Sequence, residues 1–287
     1  MVRERGKDRH FQREKMSCIR DDVVRLATKL LSHRNLLKNL ILRDLKHRYV
    51  GSIGGFLWSV VHPLVLLISY TFMFGVVFGM KGDQFGTSGF AIFAVCGLLP
   101  WFLFNDTVVR NCSVIADNAP LITKTVIPAE ILPISITISV LVHHLIGLAI
   151  VLIVMIAFYS IHLAAAWILL YMVMLLLFAQ GLGWIAAGLH VFVRDTIQAL
   201  QVLMLLWFFF TPILYSKEML NHAPRAIQVL ARLNPMAVVV SGYRYSLLGL
   251  PQPTLLETTA SFATSALIFI IGAILFRQAK PGFADVL

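Results

Sequence analysis

The fold class predicted by this sequence is an all-α integral membrane protein with six transmembrane helices, and three observations predict it. Hydrophobic residues fill 59% of the 287 positions and charged ones 13%, with a mean hydropathy of +0.82, so the chain can furnish a lipid-facing surface but not a water-facing one. Six apolar runs, near residues 55–80, 90–109, 131–158, 164–193, 199–215 and 260–276, approach or exceed the ~20 residues a spanning helix needs. Fourteen of the 24 Lys and Arg residues fall in the first 55 positions, ahead of any long apolar run.

The elements follow in order. Residues 1–32 read as a cytoplasmic tail whose first ~15 positions are too charged to order. A surface helix then carries Ile19, Val23, Leu26, Ala27, Leu30 and Leu31 on one face. Residues 33–54 read as an amphipathic interface helix. Leu36, Leu37, Leu40, Ile41, Leu45 and Tyr49 share a side, with Arg34, Lys38, Arg43, Asp44, Lys46 and Arg48 mostly elsewhere. Such a helix is expected to lie flat, its apolar side in the acyl boundary and its basic groups at lipid phosphates, or to offer a docking surface to a soluble partner. Residues 55–277 form the six-span domain and 278–287 a cytoplasmic end.

Six spans put both termini on one side, and basic residues are retained in the cytoplasm. With the tail inside, 19 Lys and Arg are cytoplasmic and five, Lys81, Lys217, Arg225, Arg232 and Arg244, are external. The first apolar run is too long and too late for a signal peptide, so the first span directs insertion. Cys18, Cys96 and Cys112 have no CxxC spacing and none falls in an outer loop, so they read as inert fillers. The net charge of +10 resides in the cytoplasmic tail, which points to anionic membrane lipids and not to nucleic acid.

Two further segments stand out. Between spans two and three, Asn118, Ala119, Pro120, Leu121, Ile122, Lys124 and Pro128 suit one short cytoplasmic helix bounded by prolines. Asp106 and Arg110, four apart at the inner end of span two, are placed for a local ion pair. Outside, the loop 216–257 contains an apolar run, 235–250, of the length of a re-entrant or interfacial helix. Arg225, Arg232 and Arg244 in it are candidate contacts for acidic ligands, pyrophosphate or lipid headgroups.

The run from Ile41 to Tyr49 (ILRDLKHRY), with Ser52, Gly55, Trp58 and Pro63, resembles the opening of the membrane subunits of polysaccharide-exporting ABC transporters, which move O-antigen, capsule or teichoic acid chains. The resemblance continues through Gly97-Leu98-Leu99-Pro100-Trp101, then Asn118, Leu121-Ile122, Lys124, Pro128 and Glu130-Ile131-Leu132-Pro133. It goes on through Val193-Arg194-Asp195, Thr211-Pro212-Ile213-Leu214-Tyr215, Leu233-Asn234-Pro235-Met236 and Tyr243-Arg244. The sequence departs at Ser52-Ile53-Gly54-Gly55, where the family usually has Ser-x-Leu-Gly, and in its longer tail.

The resemblance implies a non-catalytic permease of the bacterial inner membrane, working as a homodimer with two copies of an ABC ATPase that binds ATP and Mg. Consistently, the chain has no phosphate-binding loop, and its ~55-residue tail is too small for a nucleotide-hydrolysing domain. It further implies that Asn118, Leu121, Ile122, Lys124 and Pro128 form a coupling helix against that ATPase, with Arg194 and Asp195 as a second contact. Asn234, Pro235, Tyr243 and Arg244 would belong to the external gate. Sugars stack their C–H faces on rings, so the path for a lipid-linked polysaccharide is expected among Trp58, Tyr70, Phe74, Trp101, Phe104, Trp207, Phe209, Phe210 and Tyr215.

Two other readings compete. A small-molecule or drug exporter of the same architecture usually lacks the Arg43-Asp44-x-Lys46 opening and this density of aromatics. An intramembrane protease is suggested by Gly86-Thr87-Ser88-Gly89 with His143 and His144, but that motif falls in the first outer loop.

Overall fold

The structure is a computed structural model, described here for residues 32–47, 61, 65, 68–69, 71–77, 79, 86–124, 127–158, 163–215 and 224–287. Among the described residues all regular structure is helical. The expected surface helix at 19–31 and most of the first span lie outside them, as do Arg48, Tyr49, Trp58 and Tyr70.

Helix α1 (Arg34–His47) is followed by a π-helical stretch, Thr71–Val77, that contains Phe74 and packs on α2. Next come α2 (Gly86–Asp117), α3 (Ala119–Lys124), α4 (Ile131–Phe158), a 3-10 turn at Leu163–Trp167, α5 (Ile168–Phe192) and α6 (Thr196–Phe210). They lead to α7 (Arg225–Leu233), α8 (Pro235–Leu248), α9 (Leu255–Ala279), a second 3-10 turn (Lys280–Gly282) and α10 (Phe283–Val286).

Among the described residues four stretches are long and apolar enough to cross a membrane: Phe90–Asp117, Ile131–Ala157, Ile168–Phe192 and Leu255–Gly282. The first and third form the centre, with about half of their apolar windows buried, against 22% for the other two. On α4 the outward face is aliphatic, with Ile146, Ile150, Ile153 and Ile156 exposed. The central pairs are α2 with α5 and α5 with α9. The second is close because it is built on glycine. A Cβ on Gly272 would lie 2.2 Å from the Gly181 carbonyl oxygen, and one on Gly181 would lie 2.6 Å from that of Ile268. Without a hydrophobic drive inside lipid, such small-residue contact is what lets helix surfaces interlock.

Span two is longer than its apolar run predicts. Its helix continues past Val109 through Arg110, Asn111, Ser113 and Asp117, because polar residues end an apolar run without ending a helix. The helix of the last apolar run likewise begins at Leu255, not 260. There Thr254 accepts from the Glu257 N–H while the Glu257 carboxylate accepts from the Thr254 N–H, a reciprocal cap.

The fifth apolar run behaves differently. Its helix α6 has 15 residues, a length of ~22 Å against a hydrocarbon core of ~30 Å, and stops at Phe210 instead of running to 215. Pro212 explains the stop: it forces the preceding residue out of the helical region, and Thr211 sits at φ −97°, ψ 132°. The Ile213 N–H then donates back to the Thr211 carbonyl at 2.6 Å, a three-residue turn about the proline.

Replacing Gly272 by Val is expected to lower stability in detergent by about 1–3 kcal/mol or more, because the branched side chain must displace the backbone of α5. Ala263→Val, on an exposed face of the same helix, is expected to change it by less than about 0.5 kcal/mol. Thermal unfolding of the two variants side by side checks this.

Candidate functional site

Two clusters of functional residues emerge, one at each end of the central helices. The first gathers around Arg244 and the end of α6. Asn234 begins α8 as its N-cap, its side chain accepting from the Met236 N–H at 3.0 Å, with Pro235 at the first helical position. The same amide accepts from the Trp207 indole N–H at 3.1 Å and donates to the Thr211 hydroxyl at 2.9 Å, tying the start of α8 to the end of α6. Gly249, at φ 68°, closes α8 with a left-handed cap.

Helix α8 is buried almost throughout and packs on α2, α5 and the Leu163–Trp167 turn. Its contact with α5 is close, since a Cβ on Gly242 would lie 2.3 Å from the Tyr171 ring. Tyr243 and His144 hydrogen-bond through the phenol oxygen and the ring Nε2 at 2.9 Å. Arg244 is 5% exposed, and its guanidinium donates to the carbonyls of Pro212 at 2.7 Å, Ile213, and Phe93 at 3.4 Å. It also lies 3.4 Å above the centre of the Phe93 ring. Room for it comes from Gly97, where a Cβ would fall 2.8 Å from the guanidinium and 2.9 Å from the Ile213 oxygen. Asn234, Pro235, Tyr243 and Arg244 are thus together, and Arg244 joins the backbone oxygens that follow α6 to the Phe93 carbonyl and ring of α2. Arg225, on α7, is exposed.

The aromatic candidates divide. Trp101 and Phe104 are buried with Phe178, Trp207 and Phe208 in one ring cluster joining α2, α5 and α6. Phe104 stacks on Phe178 at 5.3 Å and meets Trp207 edge-on at 5.2 Å, and Trp101 meets Phe208 at 5.4 Å. Packing within a single chain occupies these rings. Phe209 and Phe210 are exposed, and the half-buried Tyr215 donates its hydroxyl to the Phe209 carbonyl at 2.9 Å. They continue an exposed apolar face of α6 that includes Val202, Leu205 and Leu206.

The second cluster lies where α1, α3 and the ends of α2, α4 and α9 meet. Helix α1 does not simply float in an interface. Leu40 is buried, Leu36 and Leu37 pack against the core, and the helix rests on α4. Asp44 accepts from both the Arg110 guanidinium of α2 and the Ser139 hydroxyl of α4. Arg110, paired by spacing with Asp106 on its own helix, therefore also reaches across to α1. Arg43 donates to Asn118 at 2.7 Å, while the Asn118 amide donates to the Val114 carbonyl at 2.9 Å and its backbone oxygen receives the Leu121 N–H. Lys46 is exposed.

Within the short helix α3, Leu121 and Ile122 are half-buried and turned to the core; Lys124 is its last residue. Its exposed positions are Pro120 and Thr123, next to the exposed Asp117 at the end of α2; sequence reasoning passed over Asp117 and Thr123 because they are neither apolar nor basic. Pro128 is half-buried in the turn into α4, its carbonyl accepting the Ile131 N–H. Arg194 and Asp195 are exposed between α5 and α6, together with Phe192 and Val193. The protease dyad is not assembled. Ser88 lies in the first turn of α2, eleven residues or ~16 Å from Leu99, which abuts Gly147 beside the histidine pair, and His144 is bonded to Tyr243. Among the described residues no cluster of His, Cys, Asp and Glu could hold a metal.

A bundle of long apolar helices, with a shorter apolar helix stopped at a proline, a buried helix pinned to its end and a short polar-anchored helix at the opposite end, describes a multi-pass membrane protein. The ABC-2 type transporter family profile matches residues 35–248, and the chain belongs to that family. It is 30% identical to the O-antigen export system permease protein RfbA of Myxococcus xanthus over 267 residues, 92% of this chain and 99% of that one. Two O-antigen export system permease proteins RfbA of Klebsiella pneumoniae are 27% and 26% identical, each covering 88% of this chain and 95% of their own length.

Asp44→Asn and Arg110→Gln are each expected to destabilise the protein by about 1–3 kcal/mol, since each leaves a partly shielded charge with one partner fewer. The double variant is expected to lose less than the sum, by about 0.5 kcal/mol or more. A double-mutant cycle on thermal stability measures the difference.

Proposed function

We propose that the chain is the membrane subunit of an ABC exporter that carries a lipid-linked polysaccharide of the O-antigen type across the bacterial inner membrane. The observation that carries this reading is the match to O-antigen export permeases over nearly their full length. Two copies of the chain would enclose the path, and two copies of a separate ATPase, holding ATP and Mg, would drive it. The permease itself would catalyse no reaction.

In this reading the chain has six spans, with the first completed by residues around the π-helical stretch and the fifth formed by α6 and the turn that follows. Both termini are cytoplasmic, following the bias of basic residues. Helix α8 is the external re-entrant segment: Arg244 meets Gly97, seven residues or ~10 Å inside the Phe90 end of span two, and Tyr243 meets His144 near the middle of α4. The path-lining rings narrow to Phe209, Phe210 and Tyr215 on the open face of α6, joined by the candidates of the first span. Trp101, Phe104 and Trp207 stiffen the wall behind them.

The ATPase would press on α3 through Pro120 and Thr123, on Asp117 at the end of α2 and on the Arg194–Asp195 loop. Reconstituting the chain with its ATPase in vesicles and following ATP-dependent appearance of lipid-linked polysaccharide on the far leaflet tests the reading; an ATPase that neither binds nor responds to the glycan contradicts it. For the contact itself, Pro120→Arg with Thr123→Glu is expected to weaken ATPase association about tenfold while leaving the permease's own stability unchanged. Leu121→Asp with Ile122→Asp is expected to lower both, because those side chains face the core. Pull-down and melting of the two pairs distinguish the outcomes.

A further inference from the structure

The segment after α9 makes contacts that none of the assignments above uses. Lys280, in the turn that ends α9, places its amine 2.8 and 3.0 Å from the two carboxylate oxygens of Glu130. Glu130 immediately precedes α4 and lies six positions after the last residue of α3. Three residues further on, Phe283 is completely buried, its ring 5.4 Å from that of Phe276 in α9 and 6.2 Å from that of Phe192 in the last turn of α5. Helix α10 itself rests against α3.

This arrangement bears on how force would travel. The principal neighbours of α3 are α2 and α10. A push on α3 can therefore leave along α2, along the chain into α4, or through α10. The route through α10 leads to the base of α9 through the Lys280–Glu130 pair and to the last turn of α5 through Phe283. That turn is followed two residues later by Arg194. An ion pair with one partner a third exposed contributes little to stability by itself. Its geometric consequence is larger, because it joins two elements distant in sequence next to a fully buried ring.

We propose that residues 280–287 act as a strut linking the two cytoplasmic loops, so that the α3–α4 turn and the α5–α6 loop move as one body; the proposal rests on the exporter reading. Lys280, Glu130 and Phe283 are positioning residues in this scheme. They touch neither nucleotide nor glycan, and they transmit displacement of α3 to α5 and α9.

Two readouts test it. In the purified permease alone, Lys280→Ala and Phe283→Ala are each expected to speed amide hydrogen exchange in both 119–130 and 190–198 while leaving 235–248 unchanged. In the complex with its ATPase, Lys280→Ala is expected to preserve assembly and ATP turnover while raising the ATP consumed per polysaccharide exported by about fivefold or more. The exchanged pair Glu130→Lys, Lys280→Glu should restore the ratio. Exchange altered only within 280–287, an unchanged ratio, or a swapped pair no better than the single variants would each overturn the strut. Failure of the wild-type permease to assemble with any ATPase would instead remove the exporter reading, with the exchange result still reporting the linkage by itself.

Discussion

Backbone that leaves the helical state inside a bundle of apolar helices must find partners for its carbonyl groups, and the break after Phe210 is the place where this protein meets that demand. The freed oxygens of Pro212 and Ile213 take the guanidinium of Arg244, and Thr211 is held by Asn234. Most features of that end of the bundle follow. Arg244 arrives only if α8 is drawn inside, which requires a glycine at 242 against Tyr171, a glycine at 97 beside the guanidinium and a tight N-cap at Asn234-Pro235. A planar fork of donors suits several carbonyls at once, which a lysine ammonium at the end of a flexible stem would not. The cation is thus a structural pin on a broken span.

The opposite end is organised by polar pairs across helices instead of by a cap on one of them. Asp44 collects donors from α2 and α4, Arg43 reaches Asn118, and Lys280 reaches Glu130. These contacts dock an amphipathic helix, a short helix and the last turn onto the bundle with modest energies each. Helix α2 joins the two ends: it carries Phe93 and Gly97 beside Arg244 and, some 13 residues or ~20 Å further, Arg110 beside Asp44. A polar ladder in its inner half, Asn111 to Thr137 at 3.2 Å and Thr137 to Gln180 at 2.5 Å, fixes it against α4 and α5.

Much of this was legible in the sequence. Spans two, three and four announce themselves as apolar runs of sufficient length, and the ordered motifs from Ile41 to Arg244 led to the family to which the chain belongs. What stayed illegible has identifiable physical causes. An apolar run shows hydrophobicity but not continuity of hydrogen bonding, so 199–215 read as one span although Pro212 breaks it. Amphipathicity shows that Leu36, Leu37 and Leu40 share a face but not whether lipid or α4 covers it. Trp101 and Phe104 looked like rings available to a sugar because a ring's neighbours are spread over α5 and α6, far away in sequence. The contacts Arg244 makes within the chain were hidden because most of them go to backbone carbonyls, which leave no residue signature at all.

The central claim is that Arg244 pins the end of the broken span within the bundle. Ile213 is fully buried beside it, so a cysteine there reports on the pin. The most direct measurement is labelling of Ile213→Cys by a membrane-impermeant maleimide in vesicles, with and without Arg244→Leu. The account predicts an inert thiol in the presence of Arg244 and a reactive one without it, in a protein that remains monodisperse. Equal reactivity in the two backgrounds would contradict it.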